Sequence, residues 1–225
     1  MSRKLNYLGW LKRFPIIRRW ALMENRSVFD VDLSSHSFMV AALAHKLGVI
    51  RNEVYGGNND PDKYINEHEL TTLGLYHETG ELLVSDIPTT VKYIEPSVTK
   101  ALKALEHVAE RRFAESTTPE LQDYFMNIVV QENLCEEKKL FVKAADIIAA
   151  YLKTIAEYHH HSNREFVVAN RRLGEQVVSF RNKMPEVDYL IKNYVDGFDL
   201  TLDELTDRES LSIQEPQLQS IKKAS

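Results

Sequence analysis

Apolar residues recur three and four apart along almost the whole chain, and no convincing run of alternating apolar and polar residues marks a strand. The pattern predicts an all-α fold. Leu5, Leu8 and Leu11, spaced in threes, predict a short helix over residues 2–13 that Pro15 ends. Ser34 or Ser35 is the expected cap of a second helix over 36–54, with Phe38, Ala41, Ala42 and Leu43 among its apolar positions. Gly56-Gly57-Asn58-Asn59-Asp60-Pro61 reads as a loop, followed by a third helix over 64–80. Pro88 pushes Ile87 toward extended geometry, so Asp86 belongs to a loop that leaves this helix. Pro96 opens a helix to about Glu115, and Thr118-Pro119-Glu120 starts the next with proline at the first helical position. Residues 136–158 predict one long helix, which Ser162-Asn163 breaks; others follow over 164–183 and, after Met184-Pro185, over 189–194. Without a repeat or a dividing linker, residues 1–205 read as one domain. Residues 206–225 read as a polar tail with little to bury.

Against this helical background, His77 to Asp86 gathers one histidine and three carboxylates within ten residues. On a helix over 64–80, His77 and Glu81 would stand four apart on one face, with Glu78 about 100° round from His77. That arrangement suits a metal site: an imidazole nitrogen, a carboxylate oxygen, and a base one turn along to meet an activated water. A second informative residue is Asp146, an acid set among apolar neighbours in Phe-Val-Lys-Ala-Ala-Asp-Ile-Ile-Ala-Ala-Tyr-Leu. Burying an ionised carboxylate alone costs several kcal/mol, so Asp146 either faces solvent or has a cation or donors waiting for it.

Composition narrows the setting. The chain has 225 residues, 44% of them hydrophobic, enough for a substantial core. It shows no apolar run of membrane-spanning length, and its first 25 residues lack the pattern of a signal peptide, so a cytoplasmic protein without a membrane partner is expected. Cys135 is the only cysteine, which excludes internal disulfides and thiolate zinc clusters. The net charge of -5, spread over both signs without a basic tract, argues against a nucleic acid polymer as partner and leaves room for a small anion in a locally basic pocket.

Taken singly, His36 fits a cap or core residue, and Arg19-Trp20 an interface or core pair. In order along the chain, however, His36, His77-Glu78 and Asp146 resemble the HD-domain metal-dependent phosphohydrolases, a helical-bundle family. The flanking segments narrow the resemblance to the YfbR-type bacterial 5'-deoxynucleotidases. Arg19-Trp20-Ala21-Leu22-Met23-Glu24 is similar to that family's Arg-Trp-Pro-Leu-Met-Arg segment, and Ser34-Ser35-His36-Ser37 to its Ser-Glu-His-Ser. Tyr76-His77-Glu78-Thr79-Gly80-Glu81 with Ser85-Asp86-Ile87-Pro88-Thr89-Thr90-Val91-Lys92-Tyr93 resembles its Tyr-His-Asp-x-x-Glu and Gly-Asp-Leu-Pro-Thr-Pro-Val-Lys-Tyr block. Lys143-Ala144-Ala145-Asp146 and Ala150-Tyr151-Leu152-Lys153 match the last motif, so the resemblance runs from about residue 5 to about 205.

The resemblance implies a metal held by His36, His77, Glu78 and Asp146, with Glu81 activating the attacking water. It implies that Arg19 and Trp20 hold the phosphate and shape the sugar pocket, and that Asp86 meets the sugar and the point of attack. The implied reaction removes the phosphate from 2'-deoxyribonucleoside 5'-monophosphates, and the implied assembly is a homodimer. The residue types agree with that chemistry: an arginine fork suits a phosphate dianion, and apolar bulk such as Trp20 would exclude a 2'-hydroxyl. Mixed imidazole and carboxylate ligands point to cobalt, manganese, zinc, nickel, iron or magnesium rather than calcium.

Among the departures from the family pattern, three bear on the site: Glu78 replaces the usual aspartate, Ser35 a glutamate, and Glu24 an arginine. Glutamate keeps the charge but reaches one methylene further. The site is therefore a working one with a displaced metal, a weakened one with altered metal preference, or one that has lost its metal. Two other functions stay open beside the deoxynucleotidase: a nucleotide-binding module without turnover, and an HD phosphohydrolase for another phosphorylated nucleotide.

Overall fold

A computed structural model describes residues 5–131 and 134–207. These residues form eleven α-helices joined by short 3-10 and π turns, with no strand among them beyond an isolated bridge between Arg18 and Asp32. They fall into two compact units that divide after Leu190. The expected polar tail lies, from residue 208 on, outside the described residues. No helix among the described residues is long and apolar enough to cross a membrane.

In the first unit, α1 (Tyr7–Leu11) is shorter than its leucine spacing predicted, and leads through turns into the segment that carries Arg19 and Trp20. The central helix is α2 (Leu33–Glu53). Its cap is Asp32 and not Ser34 or Ser35: the Asp32 carboxylate accepts the Ser35 amide at 2.9 Å while the Ser35 hydroxyl takes the Asp32 amide, a reciprocal capping box. The helix therefore starts three residues early, and His36 stands inside its first turns. Leu33, Val40, Ala44 and Leu47 are fully buried along its inner face. The two leucines and the valine each contribute about 1.5–3 kcal/mol. Phe38 and Ala42, expected among its apolar positions, face outward; Phe38 is 67% exposed.

α3 (Glu67–Tyr76), capped by Asn66, packs against α2 closely enough that two glycines are needed. A Cβ on Gly74 would meet the Ala41 Cα at 2.8 Å, and one on Gly48 would meet the Glu67 Cβ at 2.8 Å. The predicted third helix does not run on to residue 80. From Tyr76 the bonding tightens to i→i+3, with Thr79 donating to Tyr76 and Glu81 to Glu78 at 3.0–3.1 Å. The Thr79 hydroxyl also takes the Tyr76 carbonyl at 2.7 Å, a local competitor to the helical ladder. His77 and Glu81 thus do not share one helix face; Glu81 instead opens α4 (Glu81–Val84). α5 (Thr89–Lys92) follows the Asp86 loop, and α6 (Pro96–Ala114) and α7 (Pro119–Val129) start at their prolines as predicted.

α8 (Glu136–Ile155) packs on both α2 and α3, and buries residues on nearly every side. It ends before residue 158, where the backbone widens into a π turn, Ala156–His160. α9 (Val167–Lys183) packs back on α8, and α10 (Pro185–Tyr194) starts at Pro185, earlier than expected. In the second unit, Thr201 and Glu204 form a capping box at the start of α11 (Leu202–Thr206).

Candidate metal and phosphate site

Where α2, the turn after α3, and α8 meet, His36, His77, Glu78 and Asp146 each turn one ligand atom inward, and the four atoms lie within 4.8 Å of one another. His36 Nε2 is 3.2 Å from Asp146 Oδ1 and 3.7 Å from Glu78 Oε1. His77 Nε2 is 3.3 Å from Glu78 Oε1 and 3.9 Å from Asp146 Oδ1. The extra methylene of Glu78 has not carried its carboxylate out of the set, and the residue lies in the tightened turn after Tyr76. Asp146 neither faces solvent nor stands alone: its side chain is 16% exposed, and Lys143 Nζ donates to its second oxygen at 2.8 Å.

The donor set fits a divalent cation. His77 Nδ1 lies 2.7 Å from the Gly74 carbonyl, which only accepts, so that nitrogen carries the proton. His77 Nε2 is then left buried without a hydrogen-bond partner, facing two carboxylate oxygens. Whether it holds a second proton or offers its lone pair to a metal, positive charge is called for at that point. Oxygen and imidazole donors in this mixture belong to first-row divalent ions.

Burial alone would push Glu78 up, but the neighbouring His77 and His36 outweigh it and hold the carboxyl at about 2. Asp146 is likewise opposed by burial and held well below the usual range by Lys143, His36 and His77. Both are therefore held in the ionised form that a metal ligand requires. Glu81 goes the other way: burial, then the charges of Glu78 and Asp86, raise it well above an ordinary glutamate, and its Oε2 is buried without a partner. A carboxylate made more basic beside a metal-binding group has the properties of a general base.

Arg19 is buried, with its Nη1 donating to Asp30 Oδ2 at 2.8 Å and its Nε without a partner. Burial works against its charge, and Asp30, Glu78, Asp86 and Asp146 together hold the guanidinium charged. Trp20 packs against the buried Phe166, ring centroids 5.2 Å apart, and its amide donates to Asp86 Oδ2 at 2.8 Å. Trp20 sits at φ 56° and Ser85, just before Asp86, at φ 68°. Left-handed backbone at a bulky residue costs of order 1–3 kcal/mol and persists where surrounding contacts over-determine it. Here the hydrogen bond from the Trp20 amide to Asp86 joins the two strained segments. All the residues anticipated from the sequence, Arg19, Trp20, His36, His77, Glu78, Glu81, Asp86 and Asp146, thus fall in one region, built from α2, α8, the turn after α3, the start of α4 and the loops that carry Arg19 and Asp86.

Sequence reasoning missed Asp30. It is buried at φ 51°, its Oδ1 is 3.4 Å from His36 Nδ1, and its Oδ2 binds Arg19. One carboxylate therefore touches both the imidazole of the metal group and the arginine. It stands six residues before His36, outside any of the matched motifs, and its one signal was an acid two residues before the Asp32 cap.

The fold is that of HD-domain phosphohydrolases: an HD-domain phosphohydrolase from Listeria innocua superposes with a TM-score of 0.66 at 18% identity, covering 98% of each chain. The sequence places the chain more narrowly. Residues 6–198 match the family model described as 5'-deoxynucleotidase YfbR-like, and the chain belongs to that family. A 5'-deoxynucleotidase of Vibrio vulnificus is 36% identical over 201 residues, 89% of this chain and 98% of the relative. The 5'-deoxynucleotidase YfbR of Escherichia coli O127:H6 is 35% identical over 204 residues, 91% and 97% of the two chains.

Proposed function

We propose that this chain is a metal-dependent phosphomonoesterase that removes the 5'-phosphate from 2'-deoxyribonucleoside 5'-monophosphates. The observation that carries the reading is the convergence of His36, His77, Glu78 and Asp146 within 4.8 Å, beside Glu81 and Arg19, in a chain whose relatives are 5'-deoxynucleotidases. His36, His77, Glu78 and Asp146 would hold the divalent cation, with cobalt, manganese, zinc, nickel, iron and magnesium as the candidates. Such a cation supplies a Lewis acid that draws charge from a phosphoryl oxygen and acidifies water. Glu81 takes the proton of the attacking water through its unpartnered oxygen. Arg19, aligned by Asp30, offers its remaining donors to the phosphate. Trp20 fills the space where a 2'-hydroxyl would sit, and Asp86 borders the sugar. Phosphate release from ribo- and deoxyribonucleoside 5'-monophosphates, after chelation and resupply of single metals, tests the reading. Metal-dependent release favouring deoxy substrates is expected. No release with any metal, from protein that still binds the nucleotides, overturns it in favour of a binding module.

Two substitutions sharpen the assignment. Glu78 already reaches both imidazoles at 3.3 and 3.7 Å, so Glu78→Asp, which withdraws the carboxylate by about 1.5 Å, is expected to weaken metal binding and turnover. The loss should be at least the roughly 10–100-fold that outer partners of metal ligands cost. A gain of activity would mark the glutamate as a lesion. Glu81→Gln should lower kcat by about 10²–10⁴-fold, the usual worth of a general base, while a metal titration stays at the wild-type affinity.

A homodimer acting in the cytoplasm completes the proposal. The exposed apolar side chains of Leu22, Val28 and Phe38 support an assembly. Light scattering on the purified chain should return twice its 26.0 kDa mass.

A further inference from the structure

Lys153 and Glu157 form an ion pair at 2.6 Å near the end of α8, and both side chains are 0% exposed. Sequence placed Lys153 in a motif without a role, and the reaction proposed above uses neither residue. A buried pair of this kind is weak evidence for stability, since apolar residues of similar volume commonly serve as well or better. What distinguishes this one is where its other polar contacts go. Lys153 Nζ donates to the Ser27 hydroxyl at 3.2 Å and to the Phe29 carbonyl, and reaches the Ser27 carbonyl at 3.4 Å. Glu157 Oε1 accepts the Ser27 amide at 2.6 Å. Its Oε2 meets Asn163 Nδ2 at 3.4 Å, and the same nitrogen donates to the Glu24 carbonyl at 2.8 Å.

All of these contacts fall on residues 24–29 or lead to them. That segment is part of a loop closed at its base, where Arg19 N donates to Val31 O at 3.0 Å and Leu33 N to Ile17 O at 3.2 Å. Along the loop, Trp20, Asn25 and Asp30 all hold left-handed backbone, a conformation the chain leaves unless outside contacts keep it. Lys153 holds the carbonyl of Phe29, and the next residue is Asp30, which orients Arg19.

We propose that the buried Lys153–Glu157 pair is a positioning element for the phosphate-binding side of the site: it clamps residues 24–29 so that Asp30 holds Arg19 in its binding orientation. The inference rests on the reading of Arg19 as the phosphate ligand. It assigns Lys153 and Glu157 no contact with the reacting atoms.

The test measures the affinity of the manganese-loaded protein for 2'-deoxyadenosine 5'-monophosphate in a Glu81→Gln background, where the nucleotide is consumed about 10²–10⁴-fold more slowly. Lys153→Met alone leaves a buried unpaired carboxylate and serves poorly if it misfolds. Lys153→Met with Glu157→Gln removes both charges at nearly constant shape, and is the deciding variant. It is expected to weaken nucleotide binding about tenfold, the effect of losing one well-aimed charge-assisted hydrogen bond, with the manganese affinity held within about twofold. Added to Arg19→Ala, the same pair of changes should cost less than about twofold more, because the group it positions is gone. Nucleotide affinity unchanged by the double variant overturns the inference, whatever happens to the melting temperature. So does a loss equally large with and without Arg19. Failure of wild-type protein to release phosphate with any metal is a separate result, and overturns the hydrolase reading instead.

Discussion

Alanine in place of His77 should abolish metal-dependent phosphate release, with kcat/KM falling by at least about a thousandfold, because the several kcal/mol supplied by a Lewis acid at the phosphoryl group are lost with its ligand. The expectation rests on the two nitrogens of one ring: His77 Nδ1 is committed to the Gly74 carbonyl, and Nε2 is buried with no hydrogen-bond partner among the described residues. A thermal-shift measurement separates lost ligation from lost fold. Chelator-stripped wild-type and variant proteins should melt within a few degrees of each other, while added manganese or cobalt should raise the melting temperature of the wild type alone, since a ligand that binds only the native state stabilises it in proportion to its occupancy. A variant that still gains stability from metal, and still turns over, would show that the cation is held elsewhere.

The second large effect is expected at a residue with no functional group. Gly74→Ala would place a Cβ 2.8 Å from the Ala41 Cα and 3.0 Å from the Ala41 amide nitrogen, both backbone atoms of α2. Backbone cannot rotate aside as a side chain can, so α3 must move away from α2. Overpacking of this kind costs about 1–3 kcal/mol, which for a chain of this size lowers the melting temperature by roughly 2–4 °C per kcal/mol. The loss of activity should exceed what stability alone explains. α2 carries His36 and the turn after α3 carries His77 and Glu78, so any separation of the two helices widens the ligand set. Metal affinity and melting temperature should therefore fall together in this variant, whereas His77→Ala moves the first and spares the second. A Gly74→Ala protein with wild-type metal affinity would show that the two helices tolerate the methyl group without moving the ligands.

Much of this protein was legible before any coordinate. The all-α fold, the proline-started helices α6 and α7, and the family followed from residue spacing and from ordered motifs, because helical periodicity and N-terminal proline are local preferences that a short window of residues records. The candidate ligand types were legible for the same reason: an imidazole and a carboxylate side by side at His77-Glu78, and an acid among apolar neighbours at Asp146, are conspicuous in any environment.

What the chain pattern misjudged were features in which a local preference met a competitor. The third helix was expected to reach residue 80 on periodicity, but the Thr79 hydroxyl and the His77 ring take the Tyr76 and Gly74 carbonyls and divert the backbone at Tyr76. Ser34 and Ser35 were reasonable caps for α2, and the carboxylate of Asp32 displaced both as the stronger acceptor. Glu78 was ambiguous for a different reason. Whether a longer carboxylate still reaches the imidazoles depends on where the backbone stands, which residue type does not record; in the structure it lies 3.3 Å from His77 Nε2.

Sequence alone therefore determined the fold class, through helical spacing, and the family, through its ordered motifs, and it named the candidate site residues. The tertiary structure decided what depends on which side chains meet in space: that one carboxylate, Asp30, faces both His36 and Arg19; that Trp20 and Asp86 are joined by a backbone-to-carboxylate hydrogen bond; and that a fully buried lysine and glutamate on α8 and its π turn hold residues 24–29. Periodicity records which face of a helix is apolar. It carries no record of which polar groups will be carried, desolvated, into one another's reach.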